Sequence, residues 1–391
     1  ASGYAATAFG DHTISSLYTA TAFGDHTTAS GAASTAFGAN TMARSNLSVA
    51  MGAWNDTIAG SDPIVWIPTD PLLTIGNGTG AGARHNAFAI YKNGNLLAKN
   101  PTAVSTDPGS LPVPVSGSGT RLMWIPEKSA FRAGTVDGPQ WDADSIGTWS
   151  FAGGYDTKAK GPLSTAFGFR TSALGGYSTS LGFVTTAIGP ASTALGSYTA
   201  ALGEASTALG SYTGALGQAS TALGHFTRAS GEASTALGSY TLASGKNSTA
   251  FGENSTARSY LSVALGMWND TIAGSNLDSW IPSDPILTVG NGLGNALRSN
   301  ALTIYKNGTL VGKRFDPLLT DPGVIPVPMS GVGTRMMWLT EKSAFRVGTV
   351  SGTHWDAGNI GVWSFAAGKN NISKGQTSTT FGENNSASGI S

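Results

Sequence analysis

A seven-residue pattern of small, polar and apolar positions runs through most of the chain. From Gly147 to Gly252, sixteen glycines fall at every seventh residue, and flanking segments keep the same spacing. Alternate heptads differ, as STALG at 192–196 and TAALG at 199–203 show, so the true unit has 14 residues. A strict period of this length predicts a repeat protein in which each unit packs against its neighbours.

Each heptad contains one short β-strand and one corner. Glycine in every heptad and the lack of charged flanking positions exclude a coiled coil. Two strands and two corners make one coil, and stacked coils make a parallel β-solenoid that advances about 4.8 Å per coil. Glycine accepts a positive φ without steric cost, so we expect it to form the corners. The predicted corner glycines are Gly196, Gly203, Gly210, Gly217, Gly224, Gly231 and Gly238.

Alternation along each strand predicts two faces of different size. One face carries Ser206, Ala208 and Gly210, and the other carries Thr207 and Leu209. The sequence alone does not decide which of the two faces fills the interior of the roll. Because a 14-residue coil has little interior, a single roll leaves apolar surface exposed, which favours association with other chains.

The repeat is interrupted twice by the same block of sequence. Residues 34–168 align with 248–382 at a constant offset of 214 without a gap. We therefore predict five regions. Repeats occupy 1–52, 147–266 and 361–391, and the inserted β modules occupy 53–146 and 267–360.

The inserted modules have the patterns of β-hairpins. Residues 87–91 run into the turn Asn93-Gly94, and 121–125 turn back into 130–133. Pro112 and Pro114 indicate an extended segment that is not a central strand. All ten tryptophans lie in the duplicated blocks 34–168 and 248–382, where they fit either a small aromatic core or stacking against glycans. The tryptophans that we select as core or contact residues are Trp54, Trp124, Trp141, Trp268, Trp338 and Trp355.

Composition narrows the class of protein. Charged residues make up only 11% of the chain, and 22 basic residues balance 22 acidic ones, so no basic field attracts nucleic acid. A hydrophobic content of 40% at zero net charge excludes disorder, and no apolar run is long enough to span a bilayer. Cysteine is absent, which fits an exported fibre. Both chain ends fall inside a repeat, which indicates a segment of a longer or processed polypeptide.

Motifs for catalysis are missing from the sequence. The glycines at 76–80 do not satisfy a nucleotide-binding loop, and no nucleophile elbow or zinc-binding helix is present, so we predict a non-enzyme without cofactor or metal. His12 and His26 are one repeat apart and are expected to stack, either as a solvated corner or as part of a metal site. Threonines 14 residues apart predict a ladder along the roll, for which ice binding is an alternative.

The repeats resemble a known family. STALG, SVAMG at 48–52 and SVALG at 262–266 resemble the head repeat of trimeric autotransporter adhesins, over roughly residues 1–52, 147–266 and 361–391. This resemblance implies a left-handed parallel β-roll in a tight homotrimer. The insertions, with LTIGNG at 73–78 and RSNALTIYKNG at 298–308, look like cassettes of surface and fibre-like proteins of Bacteroidetes-type bacteria.

The sequence therefore predicts an extracellular structural or adhesive fibre module at the bacterial cell surface. Its expected partners are two further copies of itself and a host-surface protein or glycan, without nucleic acid and without membrane insertion by this segment. Two alternatives share the architecture. One is a receptor-binding tail fibre of a phage or contractile injection system, located on that particle, and the other is a polymerising extracellular filament subunit.

Overall fold

The computed structural model describes residues 1–98, 113, 115–313 and 330–389. The chain forms two compact units, Ala1–Arg170 and Thr171–Ser391, called here the first and the second unit. Both are built from β-strands, and the helical elements among the described residues are single 3-10 turns at Pro126–Lys128, Pro139–Trp141, Ala143–Ser145 and Ala357–Asn359. No described helix has the length and apolarity that a membrane crossing requires. The segment expected to be extended around Pro112 and Pro114 lies outside the described residues.

The coils of the first unit are built from long strands and short strands. The long strands are Thr7–Asp11, Thr21–Asp25, Thr35–Ala39, Val49–Ala53, Phe151–Tyr155 and Thr165–Phe169. The short strands are Ile14–Ser15, Thr28–Ala29, Met42–Ala43 and Lys158–Ala159. The insertion adds Pro71–Asn77, Asn86–Tyr91, Leu96–Ala98, Gly119–Ile125 and Ala130–Val136.

The second unit repeats this arrangement over more coils. Its long strands are Thr179–Phe183, Thr193–Ser197, Thr207–Ser211, Thr221–His225, Thr235–Ser239, Thr249–Glu253, Val263–Met267, Phe365–Lys369 and Thr379–Glu383. Its short strands are Ser172–Ala173, Thr186–Ala187, Ala200–Ala201, Gly214–Ala215, Arg228–Ala229, Leu242–Ala243, Thr256–Ala257, Ile372–Ser373 and Ser386–Ala387. Its insertion adds Pro285–Asn291, Asn300–Tyr305, Leu310–Gly312, Gly333–Leu339 and Ala344–Val350.

Strands of successive coils pair in parallel and in register with the 14-residue repeat. Thr193 lies beside Thr207, which lies beside Thr221, and the short strands pair in the same way. The predicted all-β parallel solenoid with 14-residue coils is confirmed, as is the expected threonine ladder. The left-handed winding and the five region boundaries remain predictions.

The interior of the roll is filled by the small-residue face. In the second unit one continuous cluster of fully buried alanines includes Ala201, Ala208 and Ala215, drawn from both kinds of strand. Ser206 and Thr213 are buried beside them, and the Ser206 hydroxyl donates a 2.6 Å hydrogen bond to the Gly203 carbonyl. Leu209 points outward and stays partly exposed. The space between two strands joined by corners this short is therefore filled by small side chains, mainly alanine, serine and threonine.

The seven glycines that we expected at corners divide between strands and bends. The left-handed conformation is adopted by residues such as Tyr198 (φ 53°) and Ala205 (φ 52°), whose amides donate to carbonyls of the preceding coil. Gly196 lies inside the strand Thr193–Ser197 with a φ of 121°, and Gly210, Gly224 and Gly238 repeat this. Gly203, Gly217 and Gly231 sit at bends, where a Cβ would lie 2.0–2.2 Å from the carbonyl oxygen of the next glycine. Close approach of stacked coils therefore requires glycine at both sets of positions.

Each insertion begins by extending the sheet that it interrupts. Pro71–Asn77 pairs in parallel with Val49–Ala53, and the chain then reverses into the antiparallel strands Asn86–Tyr91 and Leu96–Ala98. Later the hairpin Gly119–Ile125 and Ala130–Val136 leads back into the roll. The second insertion has the same pairings. The hairpins predicted from the turn residues are confirmed.

A buried asparagine ends the short-strand ladder where each insertion begins. The Met42 amide donates to Asn55 Oδ1 over 2.6 Å, and Asn55 Nδ2 donates to the Met42 carbonyl over 3.0 Å. Asn269 makes the same pair of bonds with Thr256. The side-chain amide thus takes the place of the next strand, because it offers the same donor and acceptor as a peptide group.

A buried arginine starts the roll again where each insertion ends. Arg132 pairs with Ala152 in the parallel register, so its side chain enters the column that alanine fills elsewhere. Its guanidinium donates to the carbonyls of Phe131, Ser150 and Ala159 and to the Ser150 hydroxyl, at 2.8–3.1 Å. Arg346 makes the equivalent bonds in the second unit. The guanidinium thus adds a second donor to the carbonyls of Ser150 and Ala159, which also accept the backbone amides of Phe131 and Gly147.

Candidate functional site

The outward face of the long strands carries an apolar row, called here the long-strand row. In the second unit the row holds one large apolar side chain in each of seven consecutive coils, and Phe251 in it is 54% exposed. In the first unit Phe9, Phe23 and Phe37 stack with ring centroids 5.1–5.3 Å apart. The row in the second unit comprises Leu181, Leu195, Leu209, Leu223, Leu237, Phe251 and Leu265. A continuous exposed apolar stripe is typical of an interaction surface.

The opposite side of the roll, formed by the short strands, is chemically mixed. The outward position of the short strands is Gly214, Arg228 and Leu242 in three successive coils, and Lys158 occupies it in the first unit. Leu202 and Leu216 follow their short strands, whereas Ser230 takes that place one coil later. A side that tolerates charge and glycine is suited to solvent, in contrast to the long-strand row.

Aromatic rings line one corner of the second unit. Tyr198, Tyr212, Phe226 and Tyr240 stack in sequence with centroids 4.6–4.9 Å apart, close to the spacing of the coils. All four have a positive φ near 53° and are partly exposed. Stacking of neighbouring rings stabilises a backbone conformation that is otherwise unfavourable for these residues.

The first unit has two histidines at the equivalent corner. His12 and His26 stack with centroids 4.5 Å apart, as their spacing predicts, and each Nδ1 lies 2.6–2.7 Å from the aspartate before it. Candidate ligand atoms of Asp11, His12 and His26 all lie within 4.8 Å of one another. The three side chains are exposed, which is the environment of a solvated corner, and metal binding at this place remains a hypothesis.

The tryptophans of the insertions divide between core and surface. Trp141 and Trp355 are fully buried, and their indoles donate to the carbonyls of Thr157 and Asn371. Trp124 and Trp338 lie outward on the hairpins and are exposed.

The remaining two of the selected tryptophans lie at corners of the roll. Trp54 and Trp268 have a φ of 47° where the roll gives way to the insertion. The guanidiniums of Arg84 and Arg298 lie over these rings, 5.0–5.1 Å from the centroids. Of the six selected tryptophans, therefore, two are core, two are surface residues and two brace an arginine.

The charged groups inside the roll ends escaped the sequence analysis. Burial lowers the pKa of Arg132 and of Arg346 to about 10, so both stay cationic at neutral pH. Lys128, which lies four residues before Arg132 in the sequence, donates from its Nζ to the carbonyls of Ala143 and Ile146. Lys128 and Arg132 recur as Lys342 and Arg346 at the 214-residue offset. In a chain with so few charged residues, this recurrence was the sequence signal that could have identified them. These cationic side chains donate hydrogen bonds to backbone carbonyls and therefore stabilise the fold.

Comparison with protein families identifies the repeats. The family described as YadA head domain repeat (2 copies) matches residues 18–41, 159–183, 186–213, 215–241 and 243–267. Compared with curated proteins, the chain has no significant match. Heads of this family form homotrimers, are exposed at the cell surface and serve structural rather than catalytic roles. The matched segments of this chain are YadA-type head repeats, folded as a parallel β-roll.

Proposed function

We propose that the chain is an extracellular adhesive or structural fibre module in which three copies pack through the long-strand row. The observation that supports this most strongly is the unbroken row of large apolar residues in the second unit. The interior is already filled by alanine, so these side chains are buried only by another chain. The number three comes from the homotrimeric heads of the matched family.

The insertions are proposed to act as lateral knobs on this fibre. On their hairpins, Leu122 and Met336 are 71% and 72% exposed. The strand register places Leu122 beside Ala133, which continues through Gly153 to Phe167, so these side chains extend the long-strand row into the insertions. Exposed aromatic and apolar side chains on a rigid hairpin favour contact with a partner. We assign the knobs to 53–146 and 267–360, and the module to the bacterial cell surface.

The absolute mass in solution tests the trimer. Light scattering on the purified chain is expected to give a value near three times 39.6 kDa. A stable monomer would contradict the proposal. Long polymers would support the filament subunit instead.

Replacing both Leu209 and Leu223 with lysine is expected to convert the trimer to a folded monomer. The two side chains point away from the alanine core, so the roll keeps its β-structure, while like charges oppose one another across the interface. Light scattering and circular dichroism measure the two properties.

A matched control uses the opposite side of the same coils. Replacing Leu202 and Leu216 with lysine adds the same charge on the short-strand side and is expected to leave the mass near that of three chains. Equal loss of trimer in both variants would place the interface elsewhere.

A further inference from the structure

The second unit contains a groove with an unusual concentration of arginine. The groove has a volume of about 570 Å³ and lies on the short-strand side of the roll, beside the second insertion. Arg228, Arg258 and Arg298 line it together with hydroxyl side chains that include Ser230 and Ser244. No aspartate or glutamate is among its lining residues. In a chain with zero net charge, this arrangement concentrates positive potential at one place.

The three arginines reach the groove from different elements. Arg228 occupies the outward position of the short strand Arg228–Ala229, and Arg258 directly follows the short strand Thr256–Ala257. Arg298 comes from the insertion, where it donates to the carbonyls of Asn254 and Asn269 and lies over Trp268. Its position is therefore fixed before any ligand binds.

The other two arginines retain their full capacity for a ligand. Arg228 and Arg258 are exposed and form no ion pair within the described part of the chain. Each guanidinium presents a planar set of donors that matches the two oxygens of a carboxylate or the oxygens of a sulfate.

The first insertion provides an internal comparison. At the 214-residue offset it retains Arg44 and Arg84, the counterparts of Arg258 and Arg298. The counterpart of Arg228 is Ile14, and Met42 stands in place of Thr256. The complete set of three arginines is therefore particular to the second unit and is not a requirement for folding the insertion.

We propose that this groove binds the acidic group, carboxylate or sulfate, of an anionic glycan. Its volume accommodates one or two sugar rings, and the serine and threonine hydroxyls that line it suit the hydroxyls of a saccharide. Arg228 also lines an adjoining open groove with Tyr198, Tyr212 and Phe226, which offers apolar contact to a sugar chain. A nucleic acid requires a longer basic track than three residues in a neutral protein.

This inference rests on the proposed function, since it assigns a ligand class to the adhesive module. The groove lies on the short-strand side, which the proposed trimer leaves in solvent. It is therefore compatible with packing through the long-strand row.

Calorimetric titration of the intact chain with defined sugars tests the site. We expect 3′-sialyllactose or a sulfated disaccharide to bind and neutral lactose not to bind, and the preferred acid distinguishes carboxylate from sulfate. Arg228→Met is expected to weaken binding about tenfold, and raising the salt concentration is expected to weaken it further. Arg44→Met, the matched change in the first unit, is expected to leave binding unchanged.

Several outcomes would overturn the assignment. Equal binding of lactose and the acidic sugars, equal affinity of the Arg228→Met variant, or binding of an oligoglutamate peptide or single-stranded DNA in preference to the sugars each contradicts it. Light scattering on the same samples separates the two proposals. A trimer that binds no acidic sugar refutes the glycan site alone, whereas a monomer refutes the proposed assembly.

Discussion

Replacing Gly210 with alanine is expected to lower the free energy of unfolding by about 3 kcal/mol or to prevent folding of the surrounding coils. Gly210 has a φ of 123°, a region that residues with a side chain rarely adopt. A Cβ at this position would also lie 2.0 Å from the carbonyl oxygen of Gly224 in the next coil. Relief requires the coils to separate, which breaks the parallel hydrogen bonds on both sides.

Gly214 supplies the control four residues later. Its φ is not in the positive region, and an added Cβ would meet only Leu216 Cδ2 at 3.8 Å. Its partners in the ladder are Ala200 and Arg228, so this column accepts larger side chains. Gly214→Ala is expected to be neutral or to stabilise by up to about 1 kcal/mol.

Hydrogen exchange and thermal unfolding of the full chain measure both variants. Peptides that cover 193–239 are expected to lose protection in Gly210→Ala and to keep it in Gly214→Ala, because a solenoid transmits a defect mainly to neighbouring coils. Equal protection in the two variants would show that the close approach at Gly210 does not limit stability.

Replacing Arg132 with methionine is expected to destabilise the start of the roll by about 3 kcal/mol. Methionine has a similar length but no donors, so the buried hydrogen bonds of the guanidinium are lost, while the carbonyls of Ser150 and Ala159 each keep one backbone amide donor. Removal of a buried cation recovers part of its desolvation cost. We expect the loss of the charge-assisted hydrogen bonds to dominate, since each contributes about 1.5–3 kcal/mol.

Two comparisons within the same chain control for this change. Arg170→Met removes an exposed arginine 3.6 Å from Asp156 and is expected to change stability by less than about 1 kcal/mol. The unaltered Arg346 reports on the equivalent roll start in the second unit. Hydrogen exchange should show lost protection in 147–169 and normal protection in 361–389, and a uniform loss in both segments would contradict a local cap.

Much of the fold was readable because the repeat is local and strict. STALG-type segments alternate small and larger residues over five positions, which is the length of the long strands, and the 14-residue spacing sets which residues pair. The hairpin at Asn93-Gly94 followed from turn chemistry alone. The exposed apolar row was also visible in the sequence as the face that carries Leu209.

The proposed binding groove was less accessible to sequence reasoning. Arg228 was visible only as an irregularity in a leucine-rich face, and Arg298 lies 70 residues away in the chain. Their convergence depends on how the insertion packs against the roll, which no local pattern encodes. The same limit applies to Arg132, because only the parallel register with Ala152 places it in the alanine column.

The sequence by itself determined the 14-residue coil, the parallel register and the duplicated insertions, because period and alternation act over a few residues. It left undecided which face is internal, since alternation produces two faces without ordering them. The tertiary structure decided this through volume, because two strands joined by short corners leave room for Ala208 and Ser206 but none for Leu209. It likewise decided the backbone conformation of the corners. Tyr198 and Ala205 adopt the left-handed conformation there, whereas glycine occupies the positions at which neighbouring coils come closest.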